Sequence, residues 1–173
     1  MKKKLALSVI TIILFASCKK NNSSSSYQIT ASVDGKAKNF NINASASKST
    51  IYGATFISIL GFTSPYTGES FSIDIDNSLS LDSIVAGTYT DTTSHFTVSG
   101  AHTRDTTTLY EAGTILASDA SNTGTALVNH LKLIITSIDN KSIRGTFSGD
   151  FYFNGDISAA KESITSGAFY VTF

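Results

Sequence analysis

From Ser142 to Phe153 the chain alternates without a break. Ile143, Gly145, Phe147, Gly149, Phe151 and Phe153 share one parity; Ser142, Arg144, Thr146, Ser148, Asp150 and Tyr152 share the other. A period of two belongs to an extended strand with one buried and one wet face, and a helix cannot hold it. Two glycines on an otherwise aromatic face imply sharp coiling or a closely approaching neighbour, as at a barrel corner. Such a strand needs partners on both sides. The chain therefore has to be rich in further strands.

It is. Tyr27, Ile29, Ala31 and Val33 alternate with Gln28, Thr30 and Ser32, and Asp34-Gly35 follows as a type I′ hairpin signal. Phe40, Ile42 and Ala44 alternate with Asn39, Asn41 and Asn43. Residues 50–62 carry apolar side chains on both parities, which predicts a central strand or one that passes between sheets. Phe71, Ile73 and Ile75 alternate with Ser72, Asp74 and Asp76. Residues 79–86 allow a helical turn. Short strands are expected at 87–90 and 95–99, the latter with Phe96 and Val98 inward, then a weak one near 107–116. Polar connections are expected at 100–106 and 118–124. Leu131, Leu133 and Ile135 begin a strand that turns at Asp139-Asn140-Lys141 into the 142–153 run, which Asn154-Gly155 closes. Residues 157–163 form a helical turn or a loop, and the chain ends on a strand with Phe169, Val171 and Phe173 inward. About nine or ten strands with hairpin-like spacing predict an all-β, antiparallel sandwich or barrel.

Ahead of these strands the composition is different. Residues 1–18 read MKKKLALSVITIILFASC: a basic start, an apolar run from Leu5 to Phe15, two small residues, then Cys18, the only cysteine among 173 residues. The run is too short for a membrane span, which takes ~20 residues. The segment resembles the signal peptide of a bacterial lipoprotein, in which the cysteine after the small residues receives lipid. Phe15 stands where such signals usually carry Leu. The resemblance implies removal of residues 1–17 and lipidation of Cys18, leaving no thiol for a disulfide or a Cys-based metal site. Residues 19–26 (KKNNSSSS) form a polar tether with a root-mean-square span of roughly 16 Å. Residues 27–173 form one domain, long enough to bury a core. Loss of Lys2, Lys3 and Lys4 leaves the mature chain at about −3, with no basic face for nucleic acid.

The segment ITSIDNKSIRGTFSGDFYF, followed by ITSGAFYV, is similar to the C-terminal signature of small lipoproteins from Bacteroidetes-type bacteria. Val33-Asp34-Gly35-Lys36 and Gly87-Thr88-Tyr89 fit the same family. The resemblance implies a β fold, a lipid anchor and, most readily, the outer membrane. It brings no activity and no catalytic residues. Surface-exported relatives often carry acidic residues after the cysteine; Lys19-Lys20 departs from that pattern, and the leaflet stays open.

Few residues suggest chemistry. Asp74 and Asp76 stand two apart on a strand, so their carboxylates lie roughly 6–7 Å apart. They suit a hydrolase pair or, with Asn77, part of a Ca²⁺ site. The plainer reading is the solvent face of a strand, with both acids hydrated. His95, His102 and His130 lack metal-site spacing and read as surface histidines. Ser45-Ala46-Ser47-Lys48 matches S-x-x-K without its companion motifs. Tyr66, Tyr110 and Tyr152 lie on expected loops, edges or outward positions and form a weak candidate platform for a ligand. The chain has no Trp, which lowers the case for sugar stacking. No cofactor is expected. The reading is an outer-membrane lipoprotein, not an enzyme, with a binding or adhesion domain for a glycan, a small apolar molecule or an envelope protein. A structural envelope component without a small ligand is the alternative, and a glycan-directed hydrolase the third.

Overall fold

The computed structural model describes residues 27–65, 68–90, 95–105, 107–113 and 131–173. The leader, Cys18, the tether, Tyr66 and His130 lie outside the described residues. Eleven antiparallel strands curl into a half-barrel, and no helix is present among the described residues. They are β1 (Gln28–Val33), β2 (Lys36–Asn39), β3 (Ile42–Ile51), β4 (Ala54–Phe62), β5 (Ser70–Asp76), β6 (Gly87–Thr90), β7 (Thr97–Thr103), β8 (Leu109–Gly113), β9 (Lys132–Ile138), β10 (Ser142–Phe153) and β11 (Lys161–Thr172).

The sheet runs β2-β1-β11-β10-β8-β7-β5-β4-β3, and β10 is its hinge. The first half of β10 pairs with β9, which carries β6, while Tyr152 and Phe153 pair with Glu111 and Tyr110 of β8. One long strand thus serves two neighbours, as its unbroken alternation requires. Gly145 allows the curl, because a Cβ there would run into the Ile134 carbonyl and the Phe169 ring. Parity holds through Ile143, Phe147 and Phe151, all buried, but Phe153 lies at the strand's end and is exposed, not inward as expected. The concave side is filled by rings: Phe71 stacks on Phe147 at 4.7 Å and meets Phe40 and Phe151 at 5.5 and 5.6 Å.

Several expected segments are redrawn, among them 157–163, whose last three residues already belong to β11. Residues 50–62 are not one strand but the end of β3, a Tyr52-Gly53 turn and β4. Both turn residues have positive φ (50° and 87°), the type I′ signature, and so does Asp34-Gly35 (48° and 78°). Within β4 the apolar residues still fall on both faces: Ile57 and Ile59 are buried inward, while Phe56 is exposed and Leu60 and Phe62 half-buried on the other side. The Phe40–Ala44 alternation is likewise broken. Phe40 is buried between β2 and β3, whereas Ile42 is exposed and Asn43 takes a positive φ of 52° in a register shift. Residues 78–80 make a single turn closed by Leu81 N–H donating to the Asn77 carbonyl at 2.7 Å.

Candidate functional site

On the convex side, β3, β4, β5 and β7 bring small hydroxyls into rows around two carboxylates. Register places Ser47, Ser58, Asp74 and Ser99 side by side, and Ser49, Phe56, Asp76 and Thr97 in the next row. The rows follow from parity: Ile57, Ile59, Ile73, Ile75 and Val98 are buried inward, so their neighbours in sequence point out. A shallow groove of about 110 Å³ runs between these rows, lined by Ser47, Ser49, Phe56, Ser58, Asp74 and Asp76.

Asp74 is exposed on the outer face, as alternation suggests, with its carboxylate partly desolvated by the strands beside it. Its pKa is raised above the ordinary 3.8, first because the flanking strands strip water from the carboxylate. The Ser58 hydroxyl, donating to it, opposes that shift, and the negative charge of Asp76 adds to it. The side chain still reaches solvent, so the pair stays accessible from the groove. Asp76 accepts from the Ser78 amide at 3.0 Å, which ties the row to the following turn.

Asn77 does not belong with them. It is buried, accepts from the Thr55 amide at 2.6 Å and donates to the Asp82 carbonyl at 2.6 Å. Its side chain holds the β5–β6 loop against β4 and is buried away from the Asp74–Asp76 groove. Among the described residues no group of three or more His, Cys, Asp or Glu is placed to hold a metal ion. Of the candidate tyrosines, Tyr66 lies outside the described residues, and Tyr110 and Tyr152 are on opposite faces of the sheet. Tyr110 is in β8, within the weak strand expected near 107–116, but its ring is buried, edge-on to Phe153 at 5.9 Å and beneath Arg104 at 5.0 Å. Tyr152 pairs with Glu111 and so faces the opposite side, half-buried.

One cluster escaped sequence reasoning. Residues 100–103 continue β7 and are not a connection, so His102 is fully buried in the core and is not a surface residue. Its Nδ1 lies 2.5 Å from Glu162 Oε2 on β11, itself 1% exposed. Arg104 Nε contacts Glu162 Oε1, and Arg104 Nη2 lies 3.6 Å from Asp34 Oδ2. Asp34 in turn accepts from the Ser163 amide at 2.8 Å. Glu162, acceptor-only when ionised, accepts a hydrogen bond from Nδ1–H; the His102 ring packs against Phe40 and Phe71, and its Nε2 has no hydrogen-bond partner among the described residues. The cluster ties β7, β11 and the β1–β2 turn together. Removing one member of a buried pair of this kind costs ~3–5 kcal/mol, since the other is left uncompensated. The signal was present: Val98 is inward, and two more steps of two reach His102. His95, by contrast, is exposed and pairs with Asp82 at 2.8 Å.

A second groove of about 300 Å³ crosses β9, β10 and β11 beside Lys132, Thr146, Ser148 and Ser166. It offers one cation and no converging acid. The Asp74–Asp76 face is therefore the stronger candidate. Comparison with known proteins adds no relative: no protein-family model matches the chain, and no curated protein or solved structure matches it either.

Proposed function

We propose that this chain is an outer-membrane lipoprotein whose residues 27–173 form a non-catalytic binding module for a hydroxyl-rich, glycan-type ligand. The observation that carries the reading is the convergence of Asp74 and Asp76 with Ser47, Ser49, Ser58 and Phe56 in one open groove. Carboxylates accept from sugar hydroxyls with charge-assisted strength, serine hydroxyls donate or accept as needed, and the Phe56 ring offers an apolar face to sugar C–H groups. The groove is well below the ~300–1,000 Å³ of an enclosing small-molecule pocket, which suits one unit of a longer glycan lying across the sheet. Rings already occupy the concave side, which weighs against a small apolar ligand held there. The anchor, the outer membrane and the resemblance to small Bacteroidetes-type lipoproteins belong to the same proposal; the leader, Cys18 and the polar tether support them.

A protein partner is the second reading. Among the described residues β3 has ladder hydrogen bonds only to β4, so the stretch of its other edge that is not against β11 could take an added strand. A panel of envelope and dietary-type polysaccharides separates these readings, with binding and turnover followed together. The expected result is binding that weakens at least tenfold (~1.4 kcal/mol) in Asp74→Asn/Asp76→Asn, without turnover by either protein. Turnover lost in the double variant would instead make the pair catalytic, and absence of any glycan binding would favour the β3 edge.

A further inference from the structure

The strand order sorts the loops into two ends. The start of β1, the Tyr52-Gly53 turn, the β5–β6 loop, the β9–β10 turn and the end of β11 share one rim. The Asp34-Gly35 turn and the β4–β5, β7–β8 and β10–β11 loops share the other. Exposed apolar side chains are not divided evenly between these ends. Tyr27, Ile51, Tyr52, Leu79, Leu81 and Val85, six of the ten large exposed ones among the described residues, lie at the first rim.

Their backbone makes the display costly. Tyr52 and Leu81 both hold positive φ (50° and 61°), a region that disfavours such side chains by about 1–2 kcal/mol each and that Gly or Asn would occupy with less strain. Tyr52 is fully exposed, so no contact with the described residues offsets the strain. Leu81 packs toward the same turn, its Cδ1 standing 3.8 Å from where a Cβ on Gly53 would be. The two strained residues thus project from adjoining loops at one place.

We propose that this rim seats in the headgroup layer of the membrane that holds the chain, as a non-covalent contact beside the Cys18 lipid. The inference rests on the lipoprotein reading above. Its occupant follows from where the remaining chain leaves. Residues 19–26 join the domain at Tyr27, on this rim, and even fully extended they reach only roughly 28 Å. β10, with 12 residues, is roughly 40 Å of contour and, tilted as strands of a curled sheet are, about 30 Å of height. Turning the opposite end to the bilayer would therefore stretch the tether to its limit, whereas at its relaxed span of roughly 16 Å it holds this rim nearest the lipid. The rim is the end held at the lipid. Tyrosine, with an apolar ring and a polar tip, suits that depth, as Ile and Leu suit the layer beneath.

The test uses the full chain, processed in cells and reconstituted in phosphatidylethanolamine/phosphatidylglycerol vesicles. An environment-sensitive, thiol-reactive fluorophore is placed by Tyr52→Cys or, at the opposite end, by Ile157→Cys. The expected result is a blue-shifted emission and loss of iodide quenching at position 52, with neither at position 157. Persistence below one copy per vesicle assigns the shielding to lipid. Equal quenching at both positions in protein that floats with the vesicles overturns the rim contact and leaves the anchor standing. Shielding that vanishes on dilution overturns it in favour of a second copy. Failure of the chain to float, with Cys18 itself taking the label, removes both anchor and rim contact.

Discussion

Asp74 shows what a single carboxyl can report. In the folded chain its pKa lies above 3.8, chiefly from desolvation, whereas unfolding returns it to water. Between the two values the folded state holds a proton that the unfolded state has lost. Stability therefore falls as pH rises through that window, and the full penalty is present above it. Asp74→Asn removes the penalty: the variant should melt higher than wild type at neutral pH, with the gap closing as pH drops below the unfolded value. Thermal melts from pH 3 to pH 7 check this, and a gap that widens on acidification would mean an ionised Asp74 stabilises the fold. The position of Asp74 on the convex face was legible from alternation alone. Its desolvation was not, because that depends on which strands lie beside β5, and no local pattern encodes cross-strand neighbours. His102 was legible in parity but was hidden by the polar residues around it, and its partner Glu162 is sixty positions away.

At the scale of elements, β10 is the clearest case. Phe147 faces the ring-filled interior and Thr146 faces out. Phe147→Ala should cost ~3–5 kcal/mol in denaturant unfolding and Thr146→Ala much less; equal losses would shift the parity by one. Strands with strict alternation were readable because one face is buried along their whole length. The β3–β4 hairpin was not, since a tyrosine occupies a turn position that Asn or Asp more often fills. That oddity yields its own prediction. Tyr52→Asn relieves a left-handed φ and removes no contact among the described residues, so it should raise stability by up to about 1–2 kcal/mol while weakening vesicle contact. A loss of stability instead would show that the Tyr52 ring is packed in solution.

Across the whole molecule, curling brings the two ends of the sheet together. A Cβ on Gly61 of β4 would meet the Phe40 carbonyl and the Ile29 side chain, so the far strand passes directly over the β1–β2 hairpin. Among the described residues the concave side is packed with the rings of Phe40, Phe71, Phe147 and Phe151. The rim contact has meaning only if the domain is held at a membrane, which makes the anchor the central claim. The most direct measurement is palmitate labelling and cell fractionation of wild type beside Cys18→Ala. The wild type should incorporate label, shorten by its leader and pellet with outer membranes, and the variant should do none of these. A Cys18→Ala chain that still labels and pellets with membranes would contradict the account.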